Sequence, residues 1–309
     1  MSFTPLMTLL VERLVDLLGA RPSVVEFGNQ TFNSSDAALN AVLARAEGHT
    51  GIDLERLRVL RRRVKEKREV ATAEYYLCLG FGHYDAIDIN DTYGSLVMDL
   101  NQDLSVVYDF NTTYDLVTNN GTGEHIFDQA AVLRNMHNLT KVNGIMVHAM
   151  PMLNYINHGF YSFHPSLYYS LERANNYRLL GLALAHRRGT GVMAEIDGKH
   201  DRLRSFLLEE RRIALPGLLM GAKFGPKGHL APLKRWRNRL IGSRHLPNPL
   251  GEVIAELGAH EKVMVVAVLR RLTDAPFRLP IQTLYAEDFS DPKMRSGYAV
   301  ADAAIEGAR

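Results

Sequence analysis

The sequence predicts an α/β fold built on an open, doubly wound, mainly parallel sheet. Three observations predict it. First, Tyr114–Thr118 has the apolar run of a short strand, Ile126–Leu139 follows with apolar residues at helical spacing, and Lys141–His148 returns as a strand, which makes a βαβ unit. Second, the link inside that unit, Asn119-Asn-Gly-Thr-Gly-Glu-His125, is made of small and amide residues, and a strand end of this kind is where such a sheet presents its ligand site. Third, Val263–Leu269 is an unbroken β run of the type buried within a sheet.

The elements follow in order. Thr4–Leu18 reads as a helix, with Thr4 as cap, Pro5 in the first turn, Leu6, Leu10, Leu14 and Leu17 on one face, and Gly19 as stop. Ser23–Phe27 is a buried-type strand that runs straight into Gly28-Asn-Gln30. Asp53–Val70 is a charged helix with a narrow stripe of Leu57, Leu60 and Val64. Tyr75–Leu79 and Asp85–Ile89 are candidate strands separated by Gly80-Phe-Gly82. Pro151–His164 is an aromatic and amide-rich loop, Pro165 opens a helix through Asn175, and Tyr177–Leu184 is a further strand. The expected organisation is an N-terminal helix (1–19), an α/β core (20–185 and 260–285), a basic insertion or lid (186–259) and a polar tail (286–309).

Composition narrows the function classes. The chain has 309 residues and is 46% hydrophobic, enough to bury a sizeable core. One cysteine, Cys78, excludes an internal disulfide and a Cys-rich zinc site, and points to a reducing, cytoplasmic setting. No apolar run reaches the ~20 residues of a membrane-crossing helix, so no membrane partner is expected. The net charge of +2 hides an uneven distribution: residues 196–245 hold twelve Lys or Arg against four Asp or Glu, and residues 53–70 hold eight against four. A solvated helix face or an anionic partner surface accounts for either stretch, and residues 186–260 are a candidate lid or homodimer face. The run Lys234-Arg-Trp-Arg-Asn-Arg239 has a single aromatic and no surrounding module, so nucleic acid is not supported as a partner.

Val24–Phe27 followed by Gly28, Asp88 closing Ala-Ile-Asp-Ile, Val97-Met-Asp-Leu100, Tyr114-Asp-Leu-Val and Leu139-Thr-Lys-Val-Asn-Gly-Ile-Met-Val together resemble, in that order, the strands of class I S-adenosylmethionine-dependent methyltransferases. The resemblance covers roughly residues 20–185 and 260–285. It implies a Rossmann-like, seven-stranded, mainly parallel sheet with an antiparallel edge strand, and helical insertions. It departs from the family where Gly28-Asn-Gln-Thr-Phe32 supplies one glycine instead of a glycine-rich loop, and where Asp88 arrives about sixty residues after Glu26. On this resemblance S-adenosylmethionine is the cofactor, lined by Glu26, Gly28, Asn29, Gln30, Asp88, Asp99 and Asn119, with Asp88 accepting from the ribose hydroxyls.

The reacting centre is expected at two segments. One is Asn119–His125, offering Asn120, Glu124 and His125. The other is Asn154–His164, which offers Tyr155, His158 and Tyr161 and packs two histidines, two asparagines and four aromatic residues into eleven positions. Such a stretch can wall a pocket and aim hydrogen bonds. Glu124 and His125 also stand where they could cap the following helix. His148, inside a strand, reads as a buried residue. Spacing alone yields no metal motif, and no metal is expected. The implied activity is methyl transfer to a small polar metabolite or sugar, a biosynthetic role. A second reading keeps the cofactor but cleaves or cyclises it, as azetidine-2-carboxylate synthases do with release of 5′-methylthioadenosine. A third is a non-catalytic scaffold with a degenerate cofactor site.

Overall fold

The computed structural model describes residues 2–186, 192–197 and 262–281. Ten strands and seven α-helices occur among them: β1 (Ser2–Phe3), α1 (Pro5–Val15), β2 (Ser23–Phe27), β3 (Thr31–Phe32), α2 (Asp36–Ala46), α3 (Leu54–Lys65), α4 (Thr72–Cys78), β4 (His83–Asp88), β5 (Leu96–Val97), α5 (Leu104–Val107), β6 (Tyr114–Asn120), α6 (Gln129–Leu139), β7 (Thr140–Leu153), α7 (Pro165–Asn175), β8 (Tyr177–His186), β9 (Val192–Asp197) and β10 (Val263–Arg271). Eight strands form one sheet in the order β5-β4-β2-β6-β7-β10-β8-β9. The first five run parallel, and β10 is antiparallel to both β7 and β8. This is a Rossmann-like, mainly parallel sheet. Two details differ from the expectation: the reversed strand β10 lies inside the sheet between β7 and β8, and β9 adds an eighth strand at the edge, antiparallel to β8.

The chain reverses its direction of progress across the sheet between β2 and β6, and in open α/β sheets such a switch point is where ligands bind, at the strands' carboxyl ends. Helices cover both faces. Residues of α1 to α4 pack on Val24, Leu116, Ile145, Val147 and Ala149. On the opposite face α5, α6 and α7 pack on Val25, Phe27, Val117, Met146 and Met150. Successive residues of β2 and β7 thus serve opposite cores, the two-residue period of a strand buried on both sides. In β8 the pairing with β10 skips Leu180, so that Leu179 and Leu182 reach the same core despite their odd spacing. A bulge of one residue keeps the strand's apolar faces in phase.

Local chemistry explains most helix ends. Thr4 caps α1 by accepting from the Met7 amide, and His164 caps α7 through the Ser166 amide, each just ahead of a proline in the first helical turn. Tyr75–Leu79, expected as a strand, is instead the end of α4 with Leu79 as its C-cap. The Glu74 carboxylate turns back to the Ala71 amide (3.2 Å), and Tyr75 and Tyr76 are buried side by side against the N-terminal segment. Phe3 stacks on Phe32 at 5.6 Å, and Phe32 meets Tyr75 at 5.3 Å, so β1 and β3 are fastened to α4 by a cluster of rings. Helix α2, not anticipated, starts at Ser35, which accepts from the Ala38 amide, and buries Ala38, Leu39, Val42 and Ala46. Among the described residues no helix is long and apolar enough to cross a membrane. Apart from β9, the basic insertion lies outside the described residues, as does the tail.

Candidate active site

The site is built from four strand ends. After β2 the chain turns at Gly28, which takes a positive φ of 75°. A Cβ there would stand 2.2 Å from the Thr122 hydroxyl oxygen, so glycine is required by both conformation and close approach. Gly28 thus lets the segment after β6 lie directly on the segment after β2. Gln30 ties them further: its side-chain amide is 3.4 Å from both the Gly28 carbonyl and the Thr122 hydroxyl, and its buried Oε1 accepts no hydrogen bond in the described structure.

Asp88 closes β4 beside this turn. Its Oδ2 accepts from the Asn29 amide at 2.8 Å, while Oδ1 accepts from the Ile89 amide (2.7 Å) and the Asn90 side chain (3.1 Å). The Asn29 side chain donates to the Thr92 carbonyl and to the Ser95 hydroxyl (2.8 Å). Asp88 therefore organises the ends of β2 and β4. A carboxylate accepts at about four lone-pair positions, so a two-pronged grip on a diol requires Asn90 to swing aside. Asp99, beyond β5, is bound mostly to its own turn: Oδ1 accepts from the Asn101 amide (2.9 Å) and side chain (2.8 Å), and these bonds hold its carboxyl below the usual range.

Glu26 is buried at the end of β2. It is 1% exposed, and its two oxygens accept from the hydroxyls of Tyr76 (3.1 Å) and Tyr84 (2.8 Å). Burial outweighs these donors and pushes its carboxyl up to about 7. It belongs to the wall that supports Gly28.

The segment after β6 is wound tightly. Asn119 and Asn120 are buried at the strand end, and Asn119 Oδ1 accepts from the Gly123 amide at 2.9 Å, closing a turn that runs through Gly121 at a φ of 70°. Gln129 clamps the turn from the first turn of α6, donating to the carbonyls of Gly123 and Ile126, each at 2.6 Å. Glu124 and His125 are thereby presented on a short 3-10 turn. They do not cap α6, because Asp128 does so through the Ala131 amide (2.9 Å).

Opposite stands the loop after β7. The Phe160 amide donates to the Glu124 carbonyl at 2.8 Å, and a Cβ on Gly159 would lie 2.8 Å from both the Cγ and the carbonyl oxygen of Glu124. The two segments are in backbone contact. This brings His158 Nε2 to 3.4 Å and His125 Nε2 to 3.7 Å from Glu124 Oε1, with the imidazole rings 5.0 Å apart. Tyr155 packs on His158 at 5.1 Å, and the Tyr161 hydroxyl donates to the Phe127 carbonyl at 2.9 Å. Phe127, Phe160 and Tyr161 form an outer rim of rings 6.0 to 6.4 Å apart, with Phe127 and Phe160 exposed. Glu124 is 0% exposed and neither of its oxygens accepts a hydrogen bond from another residue in the described structure; desolvation pushes its carboxyl up to about 7. Burial lowers the basicity of His125.

Of the residues expected to react, the structure gathers Glu124, His125, Tyr155 and His158 into one cluster, with Asn120 at the strand end beneath and Tyr161 at the rim. His164 is spent on capping α7. His148 is buried on β7, its ring 5.3 Å from Tyr168. Thr122, Gln129 and Gly159 were not singled out from sequence, although the Gly-Thr-Gly and His-Gly pairs that contain two of them mark close backbone approaches.

No family model matches the chain, and no curated protein does. Among solved structures, the chain is similar to an O-methyltransferase from a trans-AT polyketide synthase multienzyme of Brevibacillus brevis in complex with S-adenosyl-L-homocysteine, at 9% identity, with 97% of this chain and 78% of that one covered and a TM-score of 0.39. It is also similar to a putative sarcosine dimethylglycine methyltransferase from Galdieria sulphuraria (14% identity, 86% and 83% covered, TM-score 0.38) and to the [4+2]-cyclase SpnF (11% identity, 84% and 80% covered, TM-score 0.32).

Proposed function

We propose that this chain is an S-adenosylmethionine-dependent methyltransferase acting on a small polar metabolite or sugar. The observation that carries the proposal is the meeting, at the switch point of the sheet, of the Gly28 turn, the Asp88 carboxylate and the buried amides of Asn119 and Asn120. In the family that the sequence resembles, these strand ends cradle the cofactor. Gly28 would let the backbone approach it, Asp88 would hold the ribose hydroxyls, and the carboxamides would aim hydrogen bonds at its polar groups.

The reaction then falls between this cradle and the Glu124, His125 and His158 cluster. When bound, the cofactor would supply an electrophilic methyl group to an acceptor oxygen held between the two, and the acceptor's hydroxyl proton would pass to a base. The electrophile is already a cation, so the protein's main task is alignment and exclusion of water. The aromatic rim of Phe127, Phe160 and Tyr161 would cover the acceptor.

The test is incubation of the purified protein with S-adenosylmethionine alone, with binding followed by calorimetry and products by mass spectrometry. Saturable binding with the cofactor left intact is the expected result. Accumulation of 5′-methylthioadenosine above the nonenzymatic background would replace methyl transfer by cofactor cleavage or cyclisation. Absence of binding would overturn the reading and favour a scaffold.

A further inference from the structure

The geometry points to a divalent transition-metal site formed by Glu124, His125 and His158, which would hold and polarise an oxygen of the acceptor. Three observations carry it. The potential donor atoms, one from each residue, all lie within 4.8 Å of one another. Two donors bound to one metal at 2.0 to 2.1 Å stand about 2.9 to 3.4 Å apart, and His158 Nε2 and His125 Nε2 lie 3.4 Å and 3.7 Å from Glu124 Oε1. Small rotations of three side chains therefore complete the coordination. The second observation is the burial of Glu124: its carboxyl is 0% exposed, faces two imidazoles and accepts no hydrogen bond from another residue, and a dication would offset the cost of that burial more fully than the imidazoles do.

The third observation is how firmly the donors are placed. Glu124 and His125 sit on the turn clamped by Asn119 and Gln129. His158 is carried by a loop whose backbone bonds Glu124 itself through Phe160. Two imidazoles and one carboxylate leave coordination positions open, the pattern of metal sites that bind a reactant instead of closing around the ion. His125 and His158 are part-exposed while Glu124 is not, so the open positions would face the solvent side of the cluster. An alcohol or carboxylate oxygen is the ligand such a site selects, and a bound hydroxyl loses its proton more readily. The metal site stands on these three residues alone; only its role toward the acceptor rests on the transferase reading.

The experiment is a titration of the full chain, freed of metal by chelation, with Co(II) and then Zn(II). Visible absorption reports cobalt coordination, and elemental analysis reports zinc stoichiometry after desalting. One equivalent of each ion is expected, with ligand-field bands of a low-coordinate cobalt site. Glu124→Gln and His158→Ala should each weaken uptake at least tenfold, and His164→Ala, which lies outside the cluster, should leave it unchanged. Circular dichroism establishes that the variants are folded, and the near-isosteric glutamine guards against trivial unfolding. Lack of stoichiometric uptake by the native chain, or uptake that survives both ligand substitutions in folded protein, would overturn the proposal and leave a plain Glu–His cluster. Calorimetry with S-adenosylmethionine on the same samples separates the two ideas: cofactor binding without metal sinks the metal site alone, and metal uptake without cofactor binding sinks the transferase reading alone.

Discussion

The Phe160 amide donates to the Glu124 carbonyl across 2.8 Å, so the loops after β6 and β7 are joined by backbone at the point where Glu124, His125 and His158 converge. Gly159 makes this approach possible. A methyl group there would press to 2.8 Å on Glu124 Cγ and on the carbonyl, with backbone as the obstacle on one side. Gly159→Ala is expected to push the loop outward and to destabilise the fold by about 1–3 kcal/mol, the usual cost of overpacking. Urea denaturation checks the stability. An unchanged midpoint would mean that the loop has slack that the contact does not suggest.

Asp88 carries a different prediction, because it serves the fold and the proposed cofactor at once. Its Oδ2 bond to the Asn29 amide orders the Gly28 turn, and its remaining capacity is what a ribose would use. Asp88→Ala is expected to lower affinity for S-adenosylmethionine at least tenfold, about 1.4 kcal/mol or more, as loss of a charged acceptor does. Calorimetric titration reads this directly, and an unchanged affinity would remove Asp88 from the cofactor site.

Asn119 supports the opposite wall. Its Oδ1 satisfies the Gly123 amide in a buried turn, and Asn119→Ala would leave that donor without a partner. A cost of about 1–3 kcal/mol is expected, together with faster amide exchange at Gly123. Asn119→Asp retains an acceptor and should preserve the protection. If both variants match the parent in exchange, the turn is held by Gln129 alone.

The legibility of these features in the sequence followed physical rules. β2, β6 and β10 stand out because strands buried on both faces are continuous apolar runs, and α1 and α7 stand out because a capping residue and a proline mark their starts. The strand ends that carry Gly28, Asp88 and Asn119 were legible for a topological reason: an open sheet places its site there. α4 was hidden because Tyr75, Tyr76 and Leu77 have strand-like composition, and the deciding contact, Glu74 turning back on Ala71, looks like any other acidic residue. Ser35, followed by Ala38, Leu39 and Val42, did carry a start signal for α2. The setting of Glu26 depends on Tyr76 and Tyr84, which are remote in sequence. The cluster of Glu124, His125 and His158 joins two loops, so no local spacing announces it.

Glu26 supplies a prediction about pH. Its carboxyl is raised by burial from 4.5 to about 7 in the folded chain. Between these values the native state holds a proton that the unfolded chain has released, so stability falls as pH rises from about 4.5 to 7 and then levels off. At 1.36 kcal/mol per unit, the effect is on the order of 3 kcal/mol. His148 acts in the opposite direction: burial lowers it from 6.5 to about 3, so its contribution to stability grows with pH across that interval. The whole-protein profile mixes these with Glu124 and the other shifted groups, and a substitution isolates one. Glu26→Gln retains an oxygen acceptor for one tyrosine hydroxyl and an amide that can donate to the other, and it removes the titration. Urea denaturation at pH 5 and pH 8 should show the variant gaining stability over the parent as pH rises, with the difference in ΔG widening by about 1–3 kcal/mol. A constant difference at the two pH values would mean that Glu26 titrates alike in the folded and unfolded chains, and that the two tyrosine hydroxyls compensate fully for its burial.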